Sequence, residues 1–108
     1  MTFVIGPLML DMCVLSILSK EDAYGYSLTQ NIKEIINVSE TTLYPVLRRL
    51  QKDEYLIAYN EAFGGRNRRY YQITELGKKR MEEYKKEWND YKAKVDELLV
   101  GGIQNEQA

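Results

Sequence analysis

A chain of 108 residues, 44% hydrophobic and 29% charged, is long enough for one domain with a modest core. Its net charge of −1 speaks against nucleic acid as a partner on totals alone, so any such role must rest on local clustering. With no histidine and a single cysteine, Cys13, the chain has neither a disulfide framework nor the inventory for a zinc site or for Ser-His or Cys-His catalysis. Cys13 itself reads as a small buried hydrophobe, and the lack of disulfides fits a reducing cytoplasm.

Residues 5–18 are apolar on nearly every side, interrupted only by Gly6, Pro7, Asp11 and Ser16. The run lacks a basic start and a small-residue cleavage site and is too short to span a bilayer, so it is no signal or membrane segment. A helix apolar all round is a buried one, and in so small a protein its burial calls for a second subunit. A polar break at Lys20-Glu21-Asp22 follows, with Asp22 as the expected cap of a second helix over residues 24–36. Leu28, Ile32, Ile35 and Ile36 form its inner stripe, and Gly25 implies a close approach of backbone to a neighbour.

After the very short connection Asn37-Val38, residues 39–55 carry the most informative pattern. Leu43, Val46, Leu47 and Leu50 recur at three- and four-residue steps and define the inner face of a third helix. Thr41, Pro45, Arg48 and Lys52 fall opposite, with Tyr44 and Arg49 on the flanks, giving a basic, hydroxyl-bearing face without a carboxylate. Pro45 inside the pattern predicts a kink or a late helix start. Two helices joined this tightly form a helix-turn-helix.

Two strands come next, residues 56–63 and 70–73, joined by the loop Gly64-Gly65-Arg66-Asn67-Arg68 with Arg69 at its base. An arginine-bearing hairpin tip beside a helix-turn-helix reads as a wing reaching along a duplex. Thr74 is the expected N-cap of a long last helix, with Glu75 suited to its positive end. Along it Met81, Tyr84, Trp88, Tyr91, Val95 and Leu98 alternate by threes and fours, a heptad seam that needs a partner. Lysines and carboxylates such as Glu82, Glu83 and Glu87 fill most other positions and suggest surface pairs rather than acid–base chemistry, so no enzyme is expected. Gly101-Gly102 ends the helix.

Three runs together, Ala23-Tyr24-Gly25-Tyr26-Ser27-Leu28, Ser39-Glu40-Thr41-Thr42-Leu43-Tyr44-Pro45-Val46-Leu47-Arg48-Arg49-Leu50, and Gly64-Gly65-Arg66 leading to Arg69-Tyr70-Tyr71-Gln72-Ile73-Thr74-Glu75-Leu76-Gly77, carry a family resemblance over nearly the whole length. The chain resembles the PadR-like winged-helix transcriptional regulators, in their compact form with one C-terminal helix. The resemblance implies an α+β, mainly α fold: a winged helix-turn-helix with a two-stranded wing and a long C-terminal dimerisation helix. The expected division is a DNA-binding domain over residues 1–73, a dimerisation helix over 74–100 and a disordered tail over 101–108.

The resemblance further implies a cytoplasmic homodimer that binds a double-stranded DNA operator, without a cofactor or metal, and represses until a small molecule binds. By position, Thr41, Thr42, Tyr44 and Arg48 contact phosphates or base edges, with Lys52 and the Tyr24 hydroxyl holding the register, Arg66 and Arg68 as wing contacts, and Ser39 also among the DNA-binding residues. A planar aromatic or drug-like effector would stack on Trp88, walled by Tyr84, Tyr91, Met9 and Met12, although a seam filled by aromatics packing on their symmetry mates accounts for the same residues. A winged helix that serves as a protein–protein module without DNA is the alternative. The arginines gathered on helix and hairpin tip, which a scaffold does not require, favour DNA.

Overall fold

The computed structural model describes residues 7–101. At its centre lies α1 (Pro7–Leu18), packed against every other helix: α2 (Gly25–Ile35), α3 (Glu40–Lys52) and α4 (Glu75–Asp96). Leu10, Val14, Leu15 and Leu18 of α1 are buried against Leu28 and Ile32 of α2 and Leu43, Val46, Leu47 and Leu50 of α3. Burying each such side chain contributes ~1.5–3 kcal/mol. Residues 5 and 6, where the first helix was expected to begin, and all of the expected tail except Gly101 lie outside the described residues.

The other side of α1 is less covered. Met9, Met12, Cys13, Ser16 and Ile17 are half-buried, and Met12, Cys13, Ser16 and Ile17 line an apolar groove of about 350 Å³ with Ile32, Ile35, Ile36 and Lys85. Ile35, expected on the inner stripe of α2, is 81% exposed because the last turn of α2 borders this groove and not the core.

The second helix also starts differently from expectation. Ala23–Tyr24 forms a short strand, β1, paired with the third strand (Ala23↔Tyr71, Tyr24↔Tyr70), so Tyr24 is the N-cap and helix begins at Gly25. Asp22 does not cap it: its carboxylate accepts from the Tyr59 hydroxyl at 2.7 Å and from Gln72 Nε2 at 3.2 Å. Gly25 makes the close approach inferred from sequence, since a Cβ there would lie 3.0 Å from the Tyr71 ring.

The wing is a hairpin of β2 (Leu56–Phe63) and β3 (Arg66–Ile73), and β1 extends it to three strands in the order β1-β3-β2. The wing itself is thus the expected two-stranded hairpin, set in a three-stranded sheet. Phe63 pairs with Arg66, so the turn is Gly64-Gly65 alone, with φ of 57° and 81°, the left-handed conformation that glycine adopts at no steric cost. The expected five-residue tip is thus two residues, and Arg66, Asn67 and Arg68 continue the strand. Their charge hid the strand because the far half of the hairpin stands clear of the core, and only Tyr71 and Ile73 at its base are buried.

α3 ends in a hydrogen-bonded reversal. Glu54 takes φ 67°, its N–H reaches the Gln51 carbonyl at 3.0 Å, and the Tyr55 N–H reaches the Leu50 carbonyl at 2.9 Å. Thr74 caps α4 as expected, accepting from the Gly77 N–H at 2.9 Å, while its own hydroxyl donates to the Glu54 carbonyl at 2.7 Å. A Cβ on Gly77 would fall 2.2 Å from the Tyr55 carbonyl oxygen, so the first turn of α4 can lie on this junction only as glycine.

Met81 and Tyr84 of α4 are buried in the chain's own core, which corrects their place in the expected seam between subunits. Beyond Tyr84 no described residue of α4 is buried. The helix runs on past the body of the fold and widens into a π-helical turn, Glu97–Gly101. Tyr91 is 62% exposed, Leu98 70%, and only Trp88 and Val95 are partly covered.

Candidate nucleic-acid interface

Ser39 starts α3: its hydroxyl accepts from the Thr42 N–H at 3.3 Å and lies 3.1 Å from the Thr42 hydroxyl. The helix then runs unbroken through Pro45, without the late start that the proline predicted. Having no N–H, Pro45 leaves the Thr41 carbonyl without its helical donor on the outer face. Thr41, Thr42, Tyr44, Arg48 and Lys52 are all exposed on that face, and no carboxylate lies between Thr41 and Lys52. Glu40, at the helix start, is engaged from α2 by Gln30 Nε2 and Lys33 Nζ, each 3.3 Å from its Oε1. That contact ties the two helices across their short turn.

Arg49 does not share the outward face. Its guanidinium forks onto the Asp11 carboxylate of α1, Nη1 to Oδ2 at 2.9 Å and Nη2 to Oδ1. The Tyr84 hydroxyl of α4 donates to the same Oδ2 at 3.1 Å. Asp11 is 0% exposed, and the pairing holds the Arg49 guanidinium protonated above its already high ordinary range. Burial pushes the Tyr84 phenol up as well. This three-helix junction was missed in the sequence, where Asp11 passed as a mere interruption. A lone carboxylate in an apolar helix was the available signal, since buried acids require a partner.

On the outer face of the sheet the aromatic residues form a continuous stack. Tyr59 and Tyr70 are stacked at 5.7 Å between ring centres, and Tyr70 meets Tyr24 at 5.8 Å. The Arg68 guanidinium lies over both Phe63, at 4.1 Å, and Tyr24, at 4.7 Å. Arg68 is thus packed on the rings of Phe63 in β2 and Tyr24 in β1, whereas Arg66 at the hairpin end is exposed.

The residues expected around an effector are not all brought together within one chain. Trp88 and Tyr91 are neighbours at 6.4 Å, while Met12 lies in the groove on α1 and Tyr84 is turned inward to Asp11.

Residues 14–83 match the Transcriptional regulator PadR-like family. The chain belongs to that family. A solved structure of smu.1704 from Streptococcus mutans is 40% identical, with a TM-score of 0.86 over 94% of this chain and 95% of that one. The PadR-like regulator BC4206 of Bacillus cereus is 36% identical with a TM-score of 0.78, covering 86% and 93%. Among curated proteins, the transcriptional regulator Rv3488 of Mycobacterium tuberculosis is 36% identical over 57% of this chain and 59% of its own. PadR-like proteins are DNA-binding transcriptional regulators and not enzymes, and the winged helix seen here is their fold. Among the described residues no helix is long and apolar enough to cross a membrane.

Proposed function

We propose that this PadR-family chain is a homodimeric repressor that reads an operator in the cytoplasm and lets go when a small molecule binds. The observation that carries the reading is the outer face of α3, capped at its positive end, basic through Arg48 and Lys52, and free of carboxylates. Ser39 and Thr42 at that end suit a phosphate, as helix N-termini do. Thr41, Tyr44 and Arg48 are placed to meet base edges or phosphates, and Lys52, Tyr24, Arg66 and Arg68 to hold the backbone.

Two such helices in successive major grooves stand about 34 Å apart, and one subunit carries a single α3. The distal half of α4 supplies the pairing surface. Trp88, Tyr91, Val95 and Leu98 are apolar and uncovered or only partly covered in one chain, and the groove on α1 and α2 is an apolar surface for a second copy. A planar aromatic effector would lie between the paired helices on Trp88, with Tyr91, Met9 and Met12 beside it.

Footprinting on the DNA upstream of the gene tests the reading. Protection of two half-sites about one helical turn apart is expected, with affinity falling steeply as salt rises. Binding that ignores sequence would defeat it.

A further inference from the structure

The junction of the buried Asp11 and Tyr84 with Arg49 has chemistry that the recognition face does not use. Asp11 accepts both forks of the Arg49 guanidinium and the Tyr84 hydroxyl, so one carboxylate joins α1, the DNA-facing α3 and the projecting α4. Among the described residues the other buried side chains are apolar or aromatic, apart from Thr29, whose hydroxyl donates to the Tyr26 carbonyl within α2. Apolar contact is non-directional, so by itself it lets a helix roll about its axis at small cost. A bidentate guanidinium–carboxylate pair does not, because its two parallel bonds specify a plane and a direction.

Arg48 and Arg49 are consecutive, and successive helical side chains are about 100° apart. Fixing where Arg49 points therefore fixes where Arg48 points. The Arg80 guanidinium lies 4.1 Å over the Tyr84 ring from the preceding turn, and Trp88 follows one turn later. Tyr84 is thus the point where the lie of α4 meets the carboxylate that orients α3.

We infer that Asp11 is a positioning residue for DNA recognition, and that through Tyr84 and Arg49 it couples the lie of the terminal helix to the roll of the recognition helix. Arg49 contacts no DNA on this account: its side chain is 42% exposed, but both forks of the guanidinium are held by the buried Asp11. The inference rests on the operator-binding reading above. It deepens that reading by stating how an event at Trp88 reaches α3.

The test compares affinity for the footprinted operator with affinity for random duplex, and measures the salt slope of each, for full-length variants. Tyr84→Phe keeps the ring and removes one bond; Arg49→Gln removes the charged fork. Because Arg49→Gln leaves a buried acid unpaired and can unfold the chain, the triple variant Asp11→Leu, Arg49→Met and Tyr84→Phe replaces the ion pair by hydrocarbon and leaves no buried hydroxyl without its acceptor, a change that such pairs often tolerate. Expected are a melting temperature near wild type for the triple variant, an unchanged salt slope, and a fall of about ten-fold in the operator-to-random ratio. Tyr84→Phe should give a smaller fall, about three-fold, with the dimer intact.

An unchanged ratio in folded variants would overturn the inference and leave a merely structural ion pair. A salt slope reduced by about 1 in Arg49→Gln would overturn it differently, by making Arg49 a phosphate contact. If Tyr84→Phe alone matched wild type, the link to α4 would fall. Wild-type protein that does not prefer its operator would sink the DNA-binding reading itself, a result distinguishable from all of these.

Discussion

Glu54 is held at φ 67° by the reversal that ends α3, a conformation that costs a side chain with a Cβ about 1–2 kcal/mol. Glu54→Gly relieves that strain but gives back part of it by loosening the unfolded chain. A net gain of about 0.5–1 kcal/mol is expected, read as a higher urea midpoint at unchanged slope. The Tyr59 phenol, donating to Asp22, is pushed up to about 12 by that hydrogen bond and then by partial burial. Folded protein therefore keeps this proton where the unfolded chain, at its ordinary value of 10, has lost it. The contribution is complete below pH 10 and disappears as pH rises toward 12. Denaturant midpoints should fall over that interval, less steeply in Tyr59→Phe. The Tyr84 phenol, raised by burial, acts in the same sense, so the fall is not abolished.

At the scale of the element, α3 yields the most direct measurement. Arg48→Ala should weaken operator binding by about 1–3 kcal/mol if the guanidinium reads a guanine, with the largest loss at one base position in a mutated-operator series. The extent of α3 and α4 was legible because capping and periodicity are local: Thr74 caps where the sequence placed it, and Leu43, Val46, Leu47 and Leu50 are buried as a set. What was not legible depends on partners distant in the chain. Periodicity marked Met81 and Tyr84 as apolar without saying that their own chain covers them. The two-residue β1 has no period to detect, and its pairing with Tyr70 and Tyr71 is a contact across 46 and 48 positions. Arg49 looked like its neighbour Arg48 because nothing local reveals that Asp11, 38 residues earlier, lies in reach.

For the whole molecule, the uncovered half of α4 sets the expectation. Sedimentation should find a dimer at micromolar concentration, and Tyr91→Glu with Leu98→Glu should yield a folded monomer with little operator affinity, since both positions are exposed within one chain. A planar dye should quench Trp88, the single tryptophan, in the dimer and not in that monomer.

The wing leaves and rejoins the fold at nearly one point. Thr74 bonds through its backbone N–H to the Tyr55 carbonyl at 3.1 Å and through its hydroxyl to that of Glu54 at 2.7 Å, closing the base of the hairpin. Arm length is thereby separated from everything behind it. Residues inserted between Gly64 and Gly65 would change how far the arm extends while the helices kept their spacing, because closure entropy rises only slowly with loop length. Reach along a duplex can then vary from one regulator of this design to the next without the core being rebuilt.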